Sequence, residues 1–253
     1  MYFNKLKTYI FVVQIVFPMM RIKFHFQTRE KSAILPVYYH AVVKKWFENL
    51  LLSENISYKT FNFGKPFSNC FKKKLDRFEF SELPIYWIFS ISTEQTFDPE
   101  IFIGKQLIFD DKFSHCELWV DSVEWIPKPK LESDVIFKTL TPVCATKNEE
   151  NRTLFLSPMF NNYEALLRSV LIDKYQKIKG KLPSNPDFHC EVKQLLSRNI
   201  MINLETVQPG LKVRGFEFEM KLSGSPELIE FAWESGLGEY TDFGLGMIDI
   251  KSE

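Results

Sequence analysis

The C-terminal stretch 225–250, SPELIEFAWESGLGEYTDFGLGMIDI, constrains the fold more than any other part of the chain. Ser225 stands where an N-cap belongs, Pro226 at the first helical position and Glu227 in the first turn. Leu228, Ile229, Ala232 and Trp233 recur at helical spacing, which predicts a helix over 225–233 with Gly236 as its left-handed C-cap. Residues 247–250 read as a closing strand. Between helix and strand, Gly236/Gly238 and Gly244/Gly246 bracket a short polar segment of Glu239, Tyr240, Thr241 and Asp242. Glycines let a backbone approach a ligand closely and turn its N–H groups outward, and phosphate is the usual ligand of such a surface. The same residues also suit a tight helix-to-strand connection that needs positive φ. The order excludes a dinucleotide fingerprint, whose glycines follow a strand and open a helix.

Upstream, Ile22, Phe24 and Phe26 alternate with Arg21, Lys23 and His25 in a half-buried strand. Tyr39, Val42, Val43, Trp46, Phe47, Leu50 and Leu51 then mark an amphipathic helix over 38–52, with His40, Lys44 and Glu48 one turn apart on its opposite face. Residues 53–73 read as a polar and aromatic connection. Strands follow at 75–83 and 85–92, a short helix at 99–107 and a strand at 116–126, which is the β-α-β-β-α-β order of a ferredoxin-like unit. Residues 126–130, IPKPK, form a proline-punctuated linker. Beyond it come a strand at 135–143, a helix at 163–178 and strands at 188–192, 200–204 and 213–222. With the C-terminal helix and strand these repeat β-α-β-β-α-β with one extra strand.

The formal net charge is zero, so the chain lacks the basic excess usual in nucleic-acid-binding proteins. Contact with a phosphate backbone would have to come from local patches, of which Lys72, Lys73, Lys74 and Arg77 form one and Lys174, Lys177, Lys179 and Lys181 another. Such runs also make solvated faces. The four cysteines are scattered without CxxC spacing, as expected of reduced thiols. His115–Cys116 and His189–Cys190 are neighbours in strands, where adjacent side chains point to opposite faces, so no metal site is expected. Residues 1–19 hold Lys5 and Lys7 and an apolar run over 9–17 too short to span a bilayer. They read as an upstream extension of the start, with Met20 or Met19 as the true beginning. A short membrane anchor is the alternative; otherwise no membrane association is expected.

The helix, the GLGEYTDFGLG loop and the terminal strand together resemble the glycine-rich loop of the Cas six family, the CRISPR-associated endoribonucleases that trim precursor crRNA. Val213–Arg214–Gly215–Phe216–Glu217–Phe218 continues the likeness upstream. Lys74–Leu75–Asp76–Arg77–Phe78–Glu79–Phe80–Ser81 resembles the family's "KLFTFS" strand, and Leu35–Pro36–Val37–Tyr38–Tyr39 its "IPINY" lead-in to the first helix. The resemblance spans Met20 to the C-terminus. It implies an α+β protein of two tandem ferredoxin-like, RRM-like domains, here at 20–126 and 131–253, located in the cytoplasm. The implied partners are CRISPR repeat RNA or crRNA, other CRISPR-associated effector proteins and a second copy in a homodimer, with no cofactor.

The implied reaction is metal-independent attack of a ribose 2′-OH on the adjacent phosphate, leaving a 2′,3′-cyclic phosphate and a 5′-OH. The protein must supply a base, an acid and positive charge. Family members commonly carry a tyrosine late in the first helix and a histidine just after it; here Glu48 holds the first position and LLSENISYKTFNF contains no histidine. His40, with Lys44 and Tyr39 or Tyr38 beside it, is the substitute constellation, and Lys44 would favour the neutral imidazole. Tyr58 and Lys59 form a weaker one. The RNA-binding expectation falls on Gly236, Gly238, Tyr240, Thr241, Gly244 and Gly246 together with Lys72, Lys73, Lys74 and Arg77. The loop lacks a lysine common in relatives, which leaves Tyr240 to stack on a base and Thr241 to donate. Three readings stay open: a repeat endoribonuclease, a catalytically inactive crRNA-binding member and, on residues 1–19 alone, a membrane-attached interaction protein.

Overall fold

A computed structural model describes residues 19–110, 115–131, 134–149, 152–204 and 210–251. Apart from Met19, the segment singled out at the N-terminus lies outside them. The chain begins with β1 (Met19–Gln27), β2 (Ala33–Pro36) and α1 (His40–Ser53), then runs through β3 (Tyr58–Phe63), β4 (Phe71–Lys73), β5 (Arg77–Phe80) and β6 (Ile85–Thr93). A 3-10 turn (Pro99–Phe102) leads to β7 (Gln106–Asp110) and β8 (His115–Ile126). After residues 127–131 come β9 (Asp134–Thr139), the hairpin β10 (Thr146–Glu149) and β11 (Arg152–Phe155), and α2 (Tyr163–Lys179). β12 (Phe188–Asn203), β13 (Lys212–Gly224), α3 (Pro226–Ser235), a 3-10 turn (Thr241–Phe243) and β14 (Ile248–Ile250) complete it.

Two antiparallel sheets carry the fold, ordered β3-β6-β1-β8-β7 and β12-β13-β9-β14. Each places its four principal strands in the ferredoxin-like order, so the α+β reading with tandem ferredoxin-like units holds. Ten of the chain's 25 phenylalanines are buried in the first core. Phe24, Phe47 and Phe89 meet there with ring centroids 4.5–6.3 Å apart, and Phe26, Phe63 and Trp87 are fully buried. The second core gathers Leu167, Leu171 and Tyr175 of α2 with Phe188, Phe218, Met220 and Phe231.

Several expected elements differ. The second strand of the first unit is β3, inside the segment read as a connection, because Phe61 and Phe63 face the core while Asn62 is buried by the other unit. The strand expected over 75–83 is shorter and belongs to a separate small sheet, β2-β5-β4. The expected helix over 99–107 is one 3-10 turn followed by β7. The two strands expected at 188–192 and 200–204 are one continuous strand, β12, interrupted only in register by bulges.

The units meet through α3, which lies on the outer face of the first sheet and buries seven of its ten residues. That face carries the polar positions of the β1 alternation. Arg21 is 2 % exposed; its guanidinium stacks 3.8 Å from the Trp233 ring centroid and donates to the carbonyl oxygens of Trp233 and of Ile248, the latter at 2.9 Å. Ser90 donates to the Glu234 carbonyl. Lys128 of the connecting segment pairs with Glu230 and Glu234 of α3.

Candidate nucleic-acid interface

The glycine loop fills the junction between the units. Gly236, Gly238, Gly244 and Gly246 all have positive φ and all are buried. A Cβ at Gly246 would stand 1.8 Å from the Leu237 carbonyl oxygen, one at Gly238 2.2 Å from that of Cys144, and one at Gly244 2.3 Å from the Phe63 ring. The loop amides turn inward. Leu237 N–H donates to Gly246, Glu239 N–H to Cys144 and Gly246 N–H to Pro142, while Gly244 N–H closes the 3-10 turn on Thr241. The expectation of an outward-facing phosphate cradle is thereby corrected: packing against the protein itself accounts for these glycines. Gly236 has φ +80° but an extended ψ of 162°, so it ends α3 without the left-handed cap. Thr241 is buried. Tyr240 is half-buried and packs on the apolar cluster of Cys144, Ile202, Leu204, Val213 and Leu245.

The loop also covers the face of α1 expected to meet solvent. His40 is 5 % exposed, and its Nδ1 lies 2.7 Å from the Phe243 carbonyl oxygen. A carbonyl only accepts, so Nδ1 carries the proton and Nε2 is the unprotonated nitrogen of the neutral ring. Burial pushes the His40 pKa down to about 4, against the opposing effect of that bond. Tyr39 stacks on His40 at 4.2 Å between centroids and is buried too. Its hydroxyl is held protonated by burial first and by the charge of Glu217 second. Lys44 is engaged by Asp242, by Glu48 at 3.4 Å and by the Phe243 ring at 4.3 Å. Lys174 of α2 fixes the same loop from behind, donating to the Gly236 carbonyl at 2.9 Å; desolvation lowers its pKa to about 7.

Where the N-terminal end of α1 reaches the surface, a cleft of about 140 Å³ opens between the two units. Tyr38, Tyr39 and His40 line one side, Lys73, Leu75 and Phe78 of the β4–β5 hairpin a second, and Met201 and Glu217 of the β12–β13 ribbon a third, with Lys65 beside them. Of the basic hairpin residues, Lys74 and Arg77 are tied to Glu79 at 2.9 and 2.8 Å. Lys72 and Lys73 have no acidic partner among the described residues, and only Lys73 faces the cleft. The structure therefore brings together His40, Tyr39 and Lys73. It places Lys44 and the glycines behind them, and Lys72, Lys74 and Arg77 on the outer hairpin. Sequence reasoning missed Lys65 and Glu217. Glu217 lies in the Arg214–Phe218 strand already singled out, where its alternation with buried Phe218 was the available signal. His25, His115 and His189 sit beside carboxylates and do not line the cleft. Among the described residues no cluster of three or more metal-ligating side chains occurs, and no helix is long and apolar enough to cross a membrane.

Residues 126–250 match the family model described as CRISPR associated protein Cas6, C-terminal. The chain is 27% identical over 143 residues to a putative CRISPR-associated endoribonuclease-like protein Cas6nc of Pyrococcus horikoshii, covering 55% of this chain and 57% of the relative. It is 22% identical over 144 residues to a CRISPR-associated endoribonuclease Cas6 of Pyrococcus furiosus, covering 57% and 50%. It thus spans about half the length of the curated relatives it matches. A solved structure described as an RAMP protein binding different RNA substrates superposes with TM-score 0.74 and 23% identity over 92% of this chain and 100% of that one, a likeness of fold.

Proposed function

The chain belongs to the Cas6 family of CRISPR-associated proteins, and we propose that it binds CRISPR repeat RNA in the cleft at the head of α1 and cuts it there as a crRNA-processing endoribonuclease. The nucleophile is the ribose 2′-OH of the substrate: an O2′–P bond forms, the P–O5′ bond breaks, and a 2′,3′-cyclic phosphate and a 5′-OH remain. The observation that carries this reading is the bond from His40 Nδ1 to the Phe243 carbonyl, which fixes the tautomer with Nε2 as acceptor on a cleft-lining side chain. In this scheme Nε2 takes the 2′-OH proton, solvent water protonates the departing O5′, and the ammonium group of Lys73 offsets the charge that gathers on the phosphorane. An anionic phosphate entering the cleft raises the His40 pKa from its apo value toward neutrality, where a base works best. Lys44, expected beside the base, is committed to Asp242 and Lys65 to Glu217, so Lys73 takes its role.

A second reading is favoured by one observation. A histidine desolvated to a pKa of about 4 is a weak proton acceptor, which suits a protein that holds repeat RNA without cutting it. Both readings share the cytoplasm as location, with other CRISPR-associated effector proteins or a second copy as protein partners. The test is cleavage of the cognate repeat RNA in EDTA, with 3′ ends analysed for cyclic phosphate and affinity measured in parallel. Specific cleavage that His40→Ala abolishes while sparing binding supports the nuclease. Tight binding without cleavage establishes the holder, and absence of binding overturns both.

A further inference from the structure

We propose that the cleft reads a guanine base, with Glu217 and Lys65 as its specificity-determining pair; this rests on the RNA-binding reading above. Among the described residues Glu217 is the one carboxylate lining a cleft that otherwise presents Lys65, Lys73, His40, tyrosines and apolar groups. Its side chain is 17% exposed, and its Oε1 lies 3.4 Å from Nζ of Lys65. A carboxylate there works against phosphate, so it marks a place for a ligand group that donates hydrogen bonds. Ionised, it offers two acceptor oxygens and no donor.

Among the four RNA bases only guanine sets two N–H donors, N1–H and the N2 amino group, side by side on its Watson–Crick edge. The adjoining O6 is an acceptor. Glu217 meets the two donors and the neighbouring ammonium of Lys65 meets O6. Adenine and cytosine place a ring acceptor beside their amino group, and uracil flanks its imino group with two carbonyls. With any of these, one carboxylate oxygen would face a lone pair, an arrangement that leaves buried polar groups unpaired. The walls suit a flat ring. Tyr38 is 51% exposed, Met201 48% and Leu75 97%, a stacking face and two apolar contacts around the polar pair. Glu217 shares the cleft lining with Tyr39 and His40 at the head of α1.

The experiment measures affinity of the full chain for a fluorescent oligouridylate, for the same strand with one guanosine, and for that strand with inosine, which lacks the N2 amino group. Wild-type protein is expected to bind the guanosine strand roughly tenfold more tightly than oligouridylate, with inosine in between. Glu217→Gln, whose amide turns a donor toward a donor, is expected to erase the preference. Equal affinity for the guanosine and uridine strands overturns the guanine assignment while leaving RNA binding intact. Failure of every strand to bind removes the RNA-binding reading and this proposal with it. The inosine series uses only wild-type protein and decides the matter even if the variant does not fold. Competition by free GMP as strong as by the guanosine strand would point to a nucleotide site and would also overturn the assignment.

Discussion

Nδ1 of His40 lies 2.7 Å from the carbonyl oxygen of Phe243, across 203 positions of sequence and the boundary between the two sheets. That bond ties the first turn of α1 to the glycine loop, and Lys44 one turn later repeats the tie through Asp242. The helix that carries the proposed base is therefore positioned by the C-terminal unit.

Acid should loosen this joint. Burial lowers the His40 pKa from its ordinary 6.5 to about 4, so between those values the unfolded chain binds a proton that the folded chain does not. Stability from this residue is complete above about pH 7 and falls as pH drops through the interval, by about 3 kcal/mol in full. Urea unfolding across pH 4–7 should show a steeper acid limb for wild type than for His40→Gln. Parallel limbs would place the imidazole in water.

The loop glycines should differ sharply from an open one. Gly104 has φ +81° with nothing within 4 Å of an added Cβ, so Gly104→Ala should cost about 1 kcal/mol for conformation alone. At Gly246 the Cβ would collide with the Leu237 carbonyl, and Gly246→Ala should cost more than about 3 kcal/mol or prevent folding. Denaturant midpoints compare the two, and equal midpoints would mean that the loop can move aside.

Arg21 is expected to hold the units together. Arg21→Met leaves the Trp233 and Ile248 carbonyls without its donors and removes the ring stacking, at a cost of roughly 3 kcal/mol. Arg21→Lys should recover only part, because an ammonium cannot serve both carbonyls and the ring face together. Thermal melts of the three proteins test the order.

RNA affinity should distinguish hairpin lysines with an acidic partner from those with none among the described residues. Lys73→Ala should weaken RNA binding and reduce the slope of log affinity against log salt by about 1. Lys74→Ala, whose amine is already tied to Glu79 at 2.9 Å, should change the slope less. Salt titrations of both variants against one repeat RNA check this, and equal slopes would move the RNA path away from the cleft.

Local pattern was enough for α1, α2 and α3, for β1 and β13, and for the helix–loop–strand ending, because each has a strong period and clear punctuation within its own residues. It was not enough for β3. Asn62 breaks the apolar look of that strand, and its burial comes from the second unit. For the same reason the polar faces of β1 and α1 read as solvated. Arg21 and His40 lie under α3 and the glycine loop, elements some 200 positions away that no local window contains. Legible in the sequence alone were the three helices, the strands with a clear period, the tandem ferredoxin-like plan and the glycine positions of the terminal loop. That those glycines face protein atoms, and that Glu217 and Lys65 meet in the cleft, follows from contacts between residues far apart in the chain. Period reports which residues share a face, whereas what covers that face depends on how the two units dock.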